Sequence, residues 1–557
     1  MTSLASLRTL ALANWKSGIT VALISVPLSI ALSIASGAGP VPGIITGIWA
    51  TLIASLFGGS NYNIIGAAGA LTTTLFAATL VAPAGLGAAV LPILALLTGV
   101  IILVIWAVRA DRFLYYIPSS VMYGFAAGVA FLIAASQLFD ATGLSSLKRT
   151  GTFLGDIKLF ITHLAEVDTS AFLIFALFVA LILFLKRQVK SVPVVIPISI
   201  LGILFGYLET AYISGIDLIS LGDKFGQVTG ALAQPINLGT LPLLANDHLA
   251  LIALVKIAGL IALIAVLETL ITAKIADKIT RTQSSSHKEL LGLALANLGS
   301  GFMGGLPATG VFIRTGANIK AGATHRMSAT IAAVATAVIA LIALPFFIYI
   351  PMVVIAAILI NTAIGLIETD KFKEFYAHEL SSFVVALLVA GITVFEDAGI
   401  AVLVGAVIAL LLFADRVSHG KFDMILNFKN DEKLEVRGEK VLHLPHDKEI
   451  RIVTYSIAGS LGYIDSARHA ANFRHLAKAK NVESVIIRLR DLFGIDFEGT
   501  ETLIEGIEEL ETHGKNVYIS SINPKILEHL RKIEKISTLE KNGRIAKKTS
   551  EAIAQLT

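Results

Sequence analysis

Along the first 420 positions, apolar residues run in long unbroken stretches and polar residues are confined to the gaps between them. A bilayer-crossing helix needs about 20 mostly apolar residues. Stretches at 19–35, 44–56, 88–108, 121–138, 172–185, 194–207, 249–275, 290–303, 327–350, 352–367, 382–395 and 400–414 predict such helices. Two more, 68–80 and 309–320, are too short and too rich in small residues to cross. Counting both predicts fourteen segments, with the two chain ends on one side. The apolar run after residues 1–16 continues into a full span, so these residues do not read as a cleavable leader. Past residue 420 the pattern shortens and alternates. It predicts strands at 434–441, 450–457, 484–488 and 516–520 and helices at 466–480, 499–511, 525–534 and 544–556, a small α/β unit able to hold its own core.

Composition sharpens this division. Of 557 residues 55% are hydrophobic and 15% charged, against about a quarter charged in soluble domains. A disordered chain, a collagen-like fibre and an ordinary soluble enzyme are excluded. Residues 1–420 hold 22 of the 44 Lys and Arg and 19 of the 40 Asp and Glu, leaving as many charges to the last 137 residues. The chain therefore divides into a membrane domain (1–420), a linker with a first strand (421–445) and a cytoplasmic α/β domain (446–557). Cysteine is absent and the net charge is +4, which removes disulfides and thiol chemistry and gives no sign of a nucleic-acid partner.

Short-loop Lys and Arg set the orientation. One side collects Arg8, Lys16, Arg109, Arg112, Lys186, Arg187, Lys190, Lys278, Arg281, Lys288, Lys320, Arg326, Lys371, Lys373 and Arg416; the other has Lys148, Arg149, Lys158 and Lys224. Both termini are expected in the cytoplasm, with the chain in a cell inner (plasma) membrane.

The two short segments carry the candidate chemistry. One follows Gly58-Gly59-Ser60 and begins Gly66-Ala67-Ala68-Gly69-Ala70; the other follows Gly304-Gly305-Leu306-Pro307 and reads Thr309-Gly310-Val311-Phe312-Ile313-Arg314. Each stands third in its set of seven. Paired, Gly/Pro-interrupted short segments at matching places mark a transporter site between inverted repeats. A helix starting in mid-membrane exposes unpaired N–H groups and the positive end of its dipole, and two such starts facing each other make an anion pocket. Helix-packing glycines are the structural alternative.

Charges inside the apolar stretches add to this. Glu268 lies two-thirds along the 249–275 stretch, where a carboxylate needs pairing, hydration or a proton. Thr272 lies at i+4 on the same face, so the two offer oxygens to Na⁺ or to a proton-coupled anion. Arg314, one turn past Gly310, either adds positive potential behind the anion, neutralises Glu268, or sits at the interface with Lys320. Asp277, His287 and Glu289 read as solvated loop groups. No nucleophile–base–acid set, phosphate loop or metal-ligand spacing occurs, so neither an enzyme, a resident cofactor nor transport driven by ATP bound to this chain is expected.

These residues resemble the SulP (sulfate permease) family of anion transporters, with a C-terminal STAS domain. The resemblance rests on Ile19-Thr20-Val21-Ala22-Leu23-Ile24-Ser25-Val26-Pro27-Leu28 with Ala35-Ser36-Gly37, on Glu268-Thr269-Leu270 with Ala276-Asp277, and on Gly304 through Gly310, Arg314-Thr315 and Asn318-Ile319. It implies an α-helical membrane protein of fourteen segments in a 7+7 inverted repeat, with core and gate domains moving as an elevator, plus a small cytoplasmic α/β STAS domain. It places the anion between Gly66, Ala67, Ala68, Gly69 and Ala70 on one side and Thr309, Gly310, Val311 and Phe312 on the other. Glu268 becomes the proton or cation site with Thr272 beside it, and a homodimer held largely through the STAS domain is implied. Three departures stand out. Gly66-Ala67 replaces a frequent Gly-Pro. Glu268 and Phe312 stand where a sodium-coupled member has Asp and Thr, which points toward H⁺ rather than Na⁺. Glu498 occupies a STAS position that is phosphorylated in some relatives.

The expected function is secondary transport of a small anion, bicarbonate or a dicarboxylate over sulfate, by H⁺ symport. Na⁺ symport, an uncoupled uniporter or channel, a regulatory scaffold whose STAS domain binds a soluble partner, and a nucleobase permease are the rivals.

Overall fold

The computed structural model describes the chain except residues 1–3, 84–85, 110–117, 148, 189–192, 213–216, 227–231, 237–246, 397, 419–421, 431, 439–443 and 446–447. Arg112, Lys148 and Lys190 of the orientation argument, and part of the expected linker, lie outside the described residues, as does the side chain of Arg416. The chain forms two compact units, Met1–Ala409 and Leu410–Thr557.

Unit one holds two sets of seven apolar segments. The first set is α1 (Leu4–Ala35), α2 (Pro40–Phe57), α3 (Thr72–Val81), α4 (Val90–Ala107), α5 (Ser119–Ser136), α6 (Thr169–Gln188) and α7 (Val195–Tyr212). The second is α8 (His248–Thr280), α9 (Ser286–Phe302), α10 (Phe312–Lys320), α11 (Met327–Phe347), α12 (Met352–Leu366), α13 (Leu380–Phe395) and α14 (Ala398–Ser418). Among the described residues nine helices are long and apolar enough to cross a membrane. The third segment of each set is short: α3 has 10 residues and α10 has 9. Each is preceded by a two-residue strand, β1 (Ile65–Gly66) and β2 (Thr309–Gly310), and these two strands pair antiparallel.

The helices gather in two bundles. α1, α2, α4, α8, α9 and α11 pack on one another around the short helices, while α5, α6, α7, α12 and α13 form the second group. α14 joins the second group, because Gly405 fits against Val389 of α13 and Val121 of α5. Small residues set these distances: a Cβ at Gly43 would meet the Ser29 carbonyl of α1, and one at Gly124 the Ala386 backbone of α13. This is close approach of the kind that glycine allows in membrane bundles.

Unit two is built on a six-stranded sheet of order β10-β9-β7-β5-β3-β4. Its strands are β3 (Phe422–Phe428), β4 (Lys433–Gly438), β5 (Ile450–Ile457), β7 (Val482–Arg488), β9 (Asn516–Ser520) and β10 (Ile545–Ala546), while β6 (Gly459–Leu461) and β8 (Leu492–Ile495) form a separate parallel pair. β5, β7, β9 and β10 run parallel, and β3 is antiparallel to both neighbours. The expected first strand at 434–441 is thus β4, whereas β3 is formed by residues expected as linker. In β3 Phe422, Met424, Leu426 and Phe428 alternate into the core, the period-2 pattern of a half-buried strand. The helices are α15 (Tyr463–Lys478), α16 (Phe497–Thr512), α17 (Pro524–Leu530), α18 (Glu534–Lys541) and α19 (Thr549–Leu556). The expected helix at 525–534 ends at Leu530, a further helix follows from Glu534, and the expected helix at 544–556 opens as β10 before α19 begins.

The core of this unit contains a buried polar group. Asn472 Nδ2 donates to the Tyr455 hydroxyl (2.9 Å), which bonds His469 Nδ1 at 2.8 Å. With its oxygen accepting from Asn472, Tyr455 donates to Nδ1 and leaves the proton of neutral His469 on Nε2. Burial, aided by Arg468, lowers the His469 pKa to about 4. An unfolded chain takes this proton near pH 6.5, so the unfolded state binds more protons between those values. Stability is complete above about pH 6.5 and falls by about 3 kcal/mol as pH drops toward 4. Hydrogen exchange of β5 amides in the whole protein, measured between pH 7 and 4.5, should accelerate accordingly, and His469→Phe should flatten the dependence.

Candidate anion-binding site

The β1–β2 pair is the centre of the membrane unit. Ile65 faces Gly310 and Gly66 faces Thr309, and Val311 N donates to Ile64 O at 2.8 Å. From there the chain turns into the helical start at Gly69–Leu71 leading to α3, and into α10 at Phe312. No side chain caps either start. Their first N–H groups, with the positive dipole ends, flank the same two-residue pair. Ala67, Ala68, Gly69 and Ala70 are buried, as are Thr309, Gly310 and Val311, while Phe312 is half-buried.

Around this pair the hydroxyls and amides are committed to holding the backbone. Thr269 Oγ1 accepts from Gly310 N (2.8 Å) and lies 3.1 Å from Thr309 Oγ1, which donates to Ala265 O. Thr272 Oγ1 donates to Gly310 O at 3.4 Å, and Thr51 Oγ1 to Ile65 O at 2.6 Å. Asn297 brackets Ala308 through both its backbone groups, at 2.8 and 2.9 Å. Of the expected coupling pair, Glu268 lies against the Thr309 side chain, and its Oε2 has no hydrogen-bond partner among the described residues. Thr272 reaches the same strand from the next turn, so the two meet through β2.

Arg314 is fully buried. Nη2 donates to Ser29 Oγ of α1 at 3.0 Å, while Nε and Nη1 have no partner. Among the described residues it makes no ion pair with Glu268, and it is not at an interface with Lys320. Instead it stands behind β1: a Cβ on Gly66 would lie 2.6 Å from Nη1. A side chain there would have to displace the guanidinium. From the second bundle, Ile133 of α5 and Leu366 of α12 close on Gly69, within 3.3 and 3.4 Å of where its Cβ would be. The first helix start thus meets aliphatic side chains of the second bundle at Gly69.

Three residues read as solvated loop groups are otherwise. Glu289 is buried in the first turn of α9 and accepts from Gly59 N and Ser60 N (both 2.7 Å) and Asn63 Nδ2 (2.8 Å). Asp277 accepts from Thr282 Oγ1 and from Ser284 N and Oγ. His287 stacks on Trp106, centroids 5.2 Å apart. For Glu289 the reason is the Gly58-Gly59 turn, whose missing side chains let it lie directly on α9, with Gly59 against the Ser285 carbonyl. Asn63 continues the link: its Oδ1 accepts from Thr315 Oγ1 (3.1 Å), which in turn accepts from Ile64 N (3.0 Å). Glu289 therefore fixes the approach to β1. Glu289→Ala takes the acceptor from the buried Ser60 N, the half-buried Gly59 N and one N–H of Asn63 Nδ2, at about 1–3 kcal/mol for a fully buried donor. It should lower the melting temperature by several degrees, with Glu289→Gln, which keeps an acceptor, falling between. Ser29, Asn63, Thr269, Glu289 and Asn297 were not singled out as site residues. Their signal is only that they are polar within apolar or Gly-rich stretches.

Comparison with known proteins matches the pattern described as the Sulfate permease family to residues 13–389, and the STAS domain to residues 444–552. The chain is similar to the bicarbonate transporter BicA of Picosynechococcus, 24% identical over 527 residues, covering 93% of this chain and 90% of that protein. It is 28% identical over 298 residues to the putative sulfate transporter YvdB of Bacillus subtilis, a match spanning 54% of each chain. Among solved structures, murine Slc26a9, an anion transporter in its inward-facing state, superposes with a TM-score of 0.78 at 13% identity, covering 98% of this chain and 91% of that one.

Proposed function

The chain belongs to the Sulfate permease family, an anion transporter with a C-terminal STAS domain, and from that premise we propose that it carries a small oxyanion inward by H⁺ symport. The observation that bears most weight is Arg314: a fully buried guanidinium with Nε and Nη1 unpartnered, behind two uncapped helix starts. Such a charge is costly unless an anion completes its hydrogen bonds. The substrate site comprises Gly66, Ala67, Ala68, Gly69 and Ala70 with Thr309, Gly310, Val311, Phe312 and Arg314. The Ala-rich first helix start, Phe312, and the aliphatic Ile133 and Leu366 against Gly69 favour bicarbonate or a small dicarboxylate over sulfate.

Glu268 is the coupling group, with Thr272 beside it. Its carboxyl lies in the same hydrogen-bonded cluster as the anion site, with one oxygen unbonded. Coupling follows because a proton on Glu268 and an anion at Arg314 reinforce one another across β2. The two bundles serve as core and gate in an elevator motion, with both termini and the STAS domain cytoplasmic in the plasma membrane. A homodimer, and a soluble partner for the STAS domain, complete the proposal.

The test is uptake of labelled bicarbonate, fumarate and sulfate into proteoliposomes under an imposed pH gradient or an imposed Na⁺ gradient. Uptake of one anion driven by the pH gradient supports the reading and names the substrate. Drive by Na⁺ alone replaces H⁺ symport with Na⁺ symport. Flux indifferent to both gradients makes the protein a uniporter.

A further inference from the structure

Beyond the central site, two adjoining cavities open between the bundles, at the ends where α1 finishes and α8 begins. They have volumes of about 470 and 280 Å³, and Phe76 and Arg149 line both. Phe76 belongs to α3, the helix whose start forms half of the central site. Arg149 comes from the segment between α5 and α6, in the second bundle. Its guanidinium carbon lies 3.9 Å from the Phe76 ring centroid, and it makes no hydrogen bond among the described residues. A guanidinium stacked by its face keeps its in-plane N–H fork turned outward, the geometry that grips a planar oxyanion at two oxygens.

The charges nearby do not satisfy that fork. Asp140 is engaged by Lys224 at 3.2 Å. Asp156 Oδ1 accepts from Thr150 N and Oγ1, at 2.7 and 2.8 Å. Glu396 borders only the larger cavity and is exposed. The smaller cavity holds Arg149 and Lys224 against the single acid Asp140, so it carries a surplus positive charge. Two buried polar atoms in its wall are also unpartnered. Ser145 Oγ is one, and Gln137 Oε1 is the other, on a side chain whose Nε2 is already spent on Ser136 Oγ at 2.8 Å. Gln137 is only 2% exposed. An acceptor without a donor beside donors without an acceptor calls for an occupant that supplies both.

We propose that the smaller cavity is a recruitment site on the non-cytoplasmic face for a planar oxyanion bearing one O–H. Arg149 holds the carboxylate edge and Gln137 Oε1 accepts from the hydroxyl. Bicarbonate and a singly protonated dicarboxylate have this chemistry. The inference rests on the sidedness and the anion substrate of the transport reading and adds a second, outer stop to it. An anion at Arg149 lies beside α3, so it is delivered to the helix that carries the central site.

The test uses the whole protein in right-side-out and inverted membrane vesicles, with initial rates of bicarbonate and formate transport. Arg149→Gln should raise the half-saturating concentration about tenfold from the outer face, the loss of a charge-assisted contact, with the maximal rate and the inverted vesicles unchanged. Arg149→Lys, which keeps the charge without the fork, should fall between. Gln137→Leu should weaken bicarbonate, which donates an O–H, and leave formate, which cannot. Equal changes on both faces would make Arg149 a structural contact to Phe76 and overturn the proposal, as would no change on either. Absence of anion transport by the unaltered protein would instead overturn the transport reading.

Discussion

Replacing Arg314 by Met should abolish anion binding without lowering the stability of the unliganded protein. The guanidinium is fully buried and bonded only to Ser29 Oγ. Removing such a charge in favour of an apolar group of similar volume is often neutral or stabilising by about 1–4 kcal/mol. An anion that completes Nε and Nη1 makes two hydrogen bonds to a charged group, each about 1.5–3 kcal/mol, so the variant should bind at least ~150-fold more weakly. Thermal melting of the purified protein with and without bicarbonate separates the two effects. The anion-induced rise should vanish in Arg314→Met while the melting temperature without anion holds or rises. A large drop without anion would mean that the Ser29 bond is a structural pin and that Arg314 does not face the substrate.

Glu268→Gln should uncouple transport while sparing exchange. An imposed gradient of about two pH units lets a one-proton symporter concentrate its anion up to about 100-fold, since each unit is about 1.36 kcal/mol. Glutamine matches the volume of glutamate and retains an oxygen toward Thr309, but it cannot release a proton. Accumulation should therefore fall to equilibrium, while counterflow of labelled against unlabelled anion persists within a few-fold. Accumulation that survives in the variant would remove Glu268 from the coupling path.

The membrane architecture was largely legible from the sequence. Long apolar runs give the spans, and the paired Gly-rich interruptions before 68 and 309 give β1, β2 and the two short helices. Glu268 and Arg314 stand out because an ionisable residue within such a run is costly. What composition does not reveal is how the polar backbone around β1 is held. Glu289 and Asn63 sit where a loop reading is natural, and only the glycine-made contact of residues 58–59 with α9 turns them into buried partners. Arg314 could be placed on its helix, but its turn toward Ser29 rather than Glu268 depends on the packing of α1 against α10. In unit two β3 reads as linker although its alternation is regular, because it begins just past the last span. The antiparallel pairing that admits it to the sheet is a long-range fact.

The β1–β2 pair also sets a schedule for biogenesis. Ile65 waits for Gly310, so at a synthesis rate of roughly 5–20 residues per second the first strand is finished roughly 10–50 seconds before its partner exists. Throughout that interval the β1 groups that pair with β2 lack those partners at a depth where no water replaces them, although Ile65 O already has Thr51 Oγ1. The first seven segments are therefore an incomplete product that the insertion machinery must shelter until the second seven arrive. A nascent chain arrested before residue 309 should be a substrate for quality-control proteolysis rather than a stable half-protein. Supplying the second half as a separate polypeptide should rescue it.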